Sequence, residues 1–449
     1  MTYSIIQKSQ LEGALRLDAE YYQPEYFIDF SKGKWSSIGE NFNCQYGLSL
    51  AMNDEKIGYP MYKMDDINDS FLLSDGVRFA NAAQSEYQSF KLNKNDILFN
   101  RVNSEEFVGR TGIFKDNVDG IFASYLIRLT PKTKSRILPD YLNIFLNSKF
   151  GLKQIRKYSR RAVNQANVNA EELKQFRIAL LNNNEQESIK DLTDKSWAEI
   201  ENSKSFYRQA EDLLLGELGL KDFEAEETLF SIVNFSDIQK SNRLDAEYFQ
   251  AKFEELIKKL EEYGVKQLEK VIENVPAKFN PYGEPKKEFR YVELSNIDTS
   301  LGIISGSSTV LGKEAASRAK RLLKTDDVIV SSVEGSLEKA ALVSKEQEDY
   351  LASTGFFQFR SKEILPEVLL VLAKSIVFQY QLQQRCAGTI LTAVPHESIK
   401  DILIPVLPRE TQEKIAELVK KSHAARQKSK ELLEESKRKV EEMIEKGGN

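Results

Sequence analysis

A chain of 449 residues, 41% hydrophobic and 29% charged with 11 prolines and 22 glycines, has the composition of an ordered protein of two or three domains, not of a disordered one. Two cysteines (Cys44, Cys386) and two histidines (His396, His423) are too few for a thiolate zinc site or a disulfide framework. No apolar run reaches the roughly 18 residues of a membrane span, and MTYSIIQKSQ lacks the basic and apolar regions of a signal peptide, so the expectation is a cytoplasmic protein. A net charge of −5 argues against a uniformly basic nucleic-acid binder and makes local clusters the thing to look for.

In chain order, the first notable string is RLDAEYYQPEY from Arg16, which reads as an amphipathic element with an Arg–Asp pairing or cap at its start and its aromatics buried. Short β-rich runs follow, DILFN from Asp96 and GIFASYLIRL from Gly120, separated by Gly, Asn, Asp and Ser. From Arg128 to Arg161 the charge is almost all positive (Arg128, Lys132, Lys134, Arg136, Lys149, Lys153, Arg156, Lys157, Arg160, Arg161), opposed only by Asp140. After Asn182, Asn183 and Asn184, which can supply an N-cap, Ile189, Leu192, Ile200, Tyr207, Ala210 and Leu214 recur near a 3-4 spacing. That spacing predicts a helix of about 32 residues, close to 48 Å long at about 1.5 Å per residue.

Beyond Gly216, Gly219 and an acidic EAEE, the text begins again. FSIVNFSDIQKSNRLDAEYF from Phe230 matches YSIIQKSQLEGALRLDAEYY from Tyr3 without a gap; LSNIDT from Leu294 answers MDDIND from Met64; DVIVSSVE from Asp327 answers DILFNRVN from Asp96. IKDILIPVLPRETQEKI from Ile399 then answers LKQFRIALLNNNEQESI from Leu173, and the following Ile415, Leu418, Val419, Leu432, Leu433, Val440 and Met443 predict a second long helix. At the same offset Ser422 stands for Ser196 and Ser429 for Ser203, small residues that permit close approach. His423, in this Lys-rich helix, reads as solvated. One unit of about 225 residues thus occurs twice, each a strand-rich α+β globular part followed by a helix. If the units pack about a pseudo-two-fold axis, the helices run antiparallel and hold two heads apart, with both chain ends close together.

This ordered set of strings resembles the DNA-specificity subunit of Type I restriction-modification systems over the whole chain. RLDAEYYQPEY and its copy, QYGLSLAMNDEKIGYPMYKMDDIND, DILFNRVNSEEFVGRTGIF, AVNQANVNAEELKQF and the helix openings NNNEQESI and LPRETQEKI carry the likeness, with Gln186 and Gln412 at the family's recurring Gln. The resemblance implies target recognition domains over residues 1–182 and 223–408 and conserved spacer helices over residues 183–222 and 409–449. Each recognition domain would read one half of a bipartite double-stranded DNA target, asymmetric because the two heads differ. Two methyltransferase (modification) subunits binding S-adenosylmethionine, and a restriction and translocase subunit using ATP and Mg, would be the partners; this chain would hold no cofactor and catalyse nothing.

On this reading the DNA contacts of the first head fall on Lys63, Arg101, Asn103, Lys153, Arg156, Lys157, Arg160, Arg161, Asn164 and Gln165. Lys and Arg in KFGLKQIRKYSRR suit phosphates, amides in RAVNQANV suit adenine, and Arg101 suits guanine. A solvated basic helix face, Asn-rich turn chemistry, and a salt bridge from Arg101 to Glu105 or Glu106 explain the same residues without DNA. In the second head the contacts are Lys278, Arg290, Arg318, Lys320, Arg321, Thr389 and Thr392. The helix-packing set is Ile189, Leu192, Ile200, Tyr207 and Leu214 with Ile415, Leu418, Leu432 and Val440. No GxxxxGK phosphate loop is present, and NPYG at Asn280 reads as a turn rather than a methyltransferase loop. The competing function is a duplicated-domain protein-interaction scaffold.

Overall fold

In DILFN, Ile97, Leu98 and Phe99 stand in a row instead of alternating with polar residues, the pattern of a strand covered on both faces. In the computed structural model, which describes residues 5–9, 11, 16–31, 33–162, 165–224, 230–388 and 392–447, strand Ile97–Asn100 is buried throughout. It lies third in a six-stranded sheet ordered Phe42–Tyr46, Leu126–Pro131, Ile97–Asn100, Thr111–Ile113, Phe71–Leu72, Ile67–Asn68. Neighbours are antiparallel except Thr111–Ile113 with Phe71–Leu72. DVIVSSV behaves identically. Val328–Ser331 is third in the order Ile272–Asn274, Phe356–Ser361, Val328–Ser331, Ala340–Leu342, Ile303–Ile304, Ile297–Asp298, with its single parallel pair at the same place. The internal repeat therefore holds at the level of topology.

A four-stranded sheet accompanies each of these. Three strands correspond: Ile121–Phe122, Tyr59–Tyr62 and Phe79–Ala80 in the first, Leu351–Ser353, Glu288–Val292 and Ser308–Leu311 in the second. The fourth differs, because Met52–Asn53 joins beside Phe79–Ala80 whereas Ala319–Leu322 joins beside Leu351–Ser353.

The main helices, in chain order, are α1 (Pro139–Leu146), α2 (Lys149–Tyr158), α3 (Asn183–Glu217), α4 (Pro366–Lys374), α5 (Ile376–Arg385) and α6 (Arg409–Glu445). Asn182 opens α3 with reciprocal bonds, its Oδ1 accepting from Glu185 N at 3.0 Å and its own N–H donating to the Glu185 carboxylate at 2.9 Å. Among the described residues no helix is long and apolar enough to cross a membrane.

Two compact units divide the chain: Met1–Ile200 with Gln427–Asn449, and Glu201–Arg426. Each takes a length of both long helices into its core. In the first, Ile189 and Ile200 of α3 and Leu433, Val440 and Ile444 of α6 join the cluster around Phe42, Phe99, Tyr141 and Phe176. In the second, Tyr207, Ala210 and Leu214 with Ile415 and Val419 join the cluster around Leu256, Val328, Phe357 and Phe378. Leu432 is also buried, while Leu192 and Leu418 flank the seam half-exposed. The buried positions of α3 (Gln186, Ile189, Thr193, Ser196, Ile200, Ser203, Tyr207, Ala210) step by threes and fours, as a heptad seam does. Serines sit where the helices touch. Ser196 Oγ donates to Ser429 O at 3.0 Å in the first unit, and Ser203 Oγ donates to Ser422 O at 2.8 Å in the second. The contacting serines are thus not the repeat-equivalent ones.

Gln186 and Gln412 have one job in common. Gln186, 2% exposed, accepts from Leu138 N at 2.8 Å and donates to Arg136 O and Leu181 O, tying the start of α3 to the N-cap of α1. Gln412, 3% exposed, accepts from Leu365 N at 3.0 Å and donates to Leu407 O, which ties α6 to the N-cap of α4.

Charge is handled differently in the two units. In the first, Lys115 is buried between Asp140 of α1 at 2.6 Å and Asp194 of α3 at 2.8 Å. In the second, Glu367 of α4 meets Lys420 of α6 at 3.2 Å. His423 corrects its sequence reading: it is not solvated. Its Nε2 lies 2.9 Å from Leu301 O, and burial pushes its pKa below the ordinary imidazole value, since the Lys-rich surroundings in sequence are not its surroundings in space.

Candidate nucleic-acid interface

The described residues of RAVNQANV, up to Asn167, lie on paired strands. Arg160–Ala162 pairs antiparallel with Gln165–Asn167, and the second strand pairs in turn with Val102–Asn103. Two stretches that are far apart in sequence, NRVN and SRRAVNQAN, therefore become one three-stranded sheet. Asn103 also donates from Nδ2 to Met64 Sδ at 3.3 Å, which brings the MDDIND turn to the same place. There, Lys63 pairs with Asp65 at 3.1 Å, and its N–H binds the Asp66 carboxylate, whose pKa burial raises to about 7. Gly109 closes the loop that follows Asn103 against α2. Its φ is +87°, and a Cβ there would lie 2.5 Å from the Ile155 side chain, so only glycine allows the approach.

The cations of KFGLKQIRKYSRR do not form one outward face, as the sequence suggested. Lys149 binds Glu445 at 2.6 Å and Glu441 at 3.6 Å. Arg156 donates to the carbonyls of Glu105 and Glu106. Lys157 lies over the Tyr21 ring at 4.7 Å, where burial lowers its pKa. Arg160 is held at 2.6 Å by Glu172, a buried carboxylate that also faces Arg16. Freeing Arg160 would leave that carboxylate with Arg16 at 3.5 Å and the Asn169 N–H at 3.0 Å as partners, a weaker set for a buried charge. Arg161 is different. Its partner, Glu105 at 2.6 Å, is exposed, and such a pair is worth only about 0–1 kcal/mol, so a phosphate can replace it. Lys153 and Gln165 are exposed.

Arg101 makes no bridge to Glu105 or Glu106 in this arrangement. Its Nε donates to Ser124 O at 2.9 Å and its guanidinium covers the Tyr46 ring at 5.0 Å. Tyr46 and Tyr125, 43% and 49% exposed, complete a patch of aromatic and guanidinium groups. Sequence reading passed over both tyrosines, although QYGLSL and ASYLIRL contain them. Glu172 was missed too, because its partners Arg16 and Arg160 are remote in sequence.

In the second unit Lys278, Arg290, Arg318 and Lys320 are exposed, with Arg290 Nη1 donating to Thr309 Oγ1 at 3.0 Å. Arg321 is a correction. It is 1% exposed, its Nη1 donates to Val275 O at 2.7 Å, and burial holds its pKa down to about 10, so it faces the core and not a ligand. Thr392 is half-buried, and its carbonyl accepts from Glu334 N. Asn164 and Thr389 lie outside the described residues.

RLDAEY anchors a helix end in each unit, with the Arg–Asp pairing that its sequence suggests. Arg16 forms a two-bond pair with Asp18 (2.7 and 2.5 Å) and donates to Tyr158 O, the last residue of α2. Arg243 repeats this with Asp245 (2.6 and 2.5 Å) and Cys386 O, just past α5. A guanidinium at a helix C-terminus satisfies a free carbonyl and complements the helix dipole. The string thus steadies the helix that carries the first unit's basic residues.

Residues 29–205 match the model of the Type I restriction modification DNA specificity domain. Over 145 residues the chain is 33% identical to a type I restriction enzyme MjaX specificity subunit from Methanocaldococcus jannaschii, covering 32% of this chain and 34% of that one. It is 29% identical over 130 residues to the EcoKI specificity subunit of Escherichia coli, covering 28% and 27%. The chain therefore spans about a third of the length of these curated relatives. Among solved structures it is similar to the HsdS subunit from Thermoanaerobacter tengcongensis (30% identity, 34% of this chain, 40% of that one, TM-score 0.32) and to the S subunit from M. genitalium (14%, 92%, 98%, TM-score 0.40). Residues 29–205, which hold NRVN, the basic helix and the hairpin strands, are thus similar to the Type I restriction modification DNA specificity domain.

Proposed function

We propose that this chain is the non-catalytic specificity subunit of a Type I restriction-modification complex, acting in the cytoplasm on double-stranded DNA. Each globular part reads one half of an asymmetric bipartite target; α3 and α6, as antiparallel spacers, set the gap between the halves. Two adenine-methyltransferase subunits, which bring S-adenosylmethionine, assemble on it, and a restriction and translocase subunit brings ATP and Mg. The observation that carries the reading is one sheet order built twice with different chemistry beyond its central strand: Asn103, past strand Ile97–Asn100, is answered by Glu334, past strand Val328–Ser331. A duplicated frame with unlike readers suits two unlike half-sites. Support for the spacer comes from the serine contacts, Ser196 with Ser429 in one unit and Ser203 with Ser422 in the other, whose numbers rise on one helix as they fall on the other.

Titrating the full chain against a labelled duplex at several salt concentrations tests the reading. Binding is expected to weaken steeply, with log K falling against log[salt] by about 0.9 for each phosphate contacted. A flat dependence would instead favour the protein-interaction scaffold.

A further inference from the structure

The two units do not carry their positive charge on the same element. In the second, the helix equivalent to the basic α2 is α5, IVFQYQLQQR, whose one charged residue is turned inward: Arg385 donates to Ser398 O at 2.8 Å and Gln381 O at 2.9 Å. Cations gather elsewhere. Two loops lock together, with Gly312 N donating to Lys287 O at 2.9 Å, Lys313 N to Pro285 O at 3.2 Å, Phe279 N to Lys320 O at 3.0 Å and Tyr282 Oη to Ala315 O at 2.9 Å. A Cβ on Gly312 would lie 2.2 Å from Glu284 O, so the loops meet backbone to backbone. One loop presents Lys278, Lys286, Lys287 and, on the adjoining strand, Arg290; the other presents Lys313, Arg318 and Lys320, all exposed.

Acids offset part of this charge. Glu284 pairs with Lys287 at 3.2 Å, Glu314 with Lys313 at 3.6 Å, and Glu288 is exposed near Arg290. Among the described residues Lys278, Lys286, Arg318 and Lys320 form no ion pair, so four cations on a rigid loop pair remain for an external anion. Arg318 and Lys320 lie just before and in strand Ala319–Leu322, which joins the second unit's four-stranded sheet on an edge where, among the described residues, the first unit has only the single bridge of Leu48 to Ala123. In the first unit the helix after Phe79–Ala80, the strand that corresponds to Ser308–Leu311, is QSEYQSF, with Glu86 its only charge.

We propose that the second unit meets the DNA backbone through this loop pair and edge strand, whereas the first uses the hairpin and the exposed part of α2. The inference rests on the DNA-reading function proposed above and assigns the surface on which the second unit holds phosphates. Phosphate contacts fix orientation without reading bases, so the surface should act alike on any duplex.

The test compares the full chain with a Lys278→Ala, Lys286→Ala, Arg318→Ala, Lys320→Ala variant on two labelled duplexes, one carrying the host's methylated motif and one of unrelated sequence. The expected result is equal weakening on both, with the salt dependence less steep by about 0.9 per lost contact, hence about 3 to 4 in total. A charge-keeping variant, Lys278→Arg, Lys286→Arg, Arg318→Lys, Lys320→Arg, should bind as the parent does. Unchanged affinity and slope in the alanine variant would overturn the loop-pair assignment alone, as would equal loss in the charge-keeping variant. A parent chain that binds neither duplex would overturn the functional reading and this assignment with it.

Discussion

Replacing Lys115 with Met is expected to destabilise the first unit by about 3 to 5 kcal/mol, the usual result of removing one member of a buried ion pair. Asp140 is 1% exposed and Lys115 4%, so the carboxylate left behind has no access to water. The loss also loosens α3, because Asp194 reaches the core through the same ammonium group at 2.8 Å. Burial already raises the Asp140 pKa above the ordinary carboxylate value even with Lys115 in place. An acid whose pKa is higher folded than unfolded binds its proton more tightly when folded. Its contribution is therefore most favourable below the unfolded pKa and is lost as pH rises through the folded one. Without Lys115 the rise grows, so the defect of Lys115→Met should shrink as the pH falls from 7 toward 5. Urea unfolding of both chains at the two pH values checks this, and a defect that grows on acidification would refute it.

Gln186→Ala is expected to cost the first unit about 2 kcal/mol or more, and Gln412→Ala to do the same to the second. Each substitution leaves a half-buried backbone N–H, of Leu138 or of Leu365, without its acceptor, at about 1 to 3 kcal/mol, and opens a small cavity where the buried glutamine side chain stood. Thermal melts that separate the two units should show each substitution lowering one transition only. A substitution at either glutamine that left both transitions unmoved would show that the bonds are dispensable.

The duplication, the long helices and the Asn182 cap were legible in the sequence because each depends on local order or spacing. The basic run was legible only as composition. Its partners Glu105, Glu172, Glu441 and Glu445 come from other elements, and no spacing rule reveals that Arg160 is bound while Lys153 is exposed. Arg321 could have been placed correctly by alternation alone: in the strand Ala319–Leu322 it shares the inner face with Ala319, and Lys320 points outward. The hairpin was ambiguous for a physical reason, since Asn and Gln suit turns and base edges equally. Gln186 and Gln412 were visible as a recurring pair, but their task, capping a helix from another part of the chain, needed the tertiary contact.

Mapping adenine methylation across the host genome tests the central claim most directly. The parent chain should direct a two-part motif with a fixed gap, absent when this gene is deleted. A chain shortened by one matched heptad in each of α3 and α6, about 10 Å at about 1.5 Å per residue, should keep both half-site sequences and change only the gap, by about three base pairs. Methylation without a bipartite motif dependent on this gene, or half-sites that change when only the helices are shortened, would contradict the account.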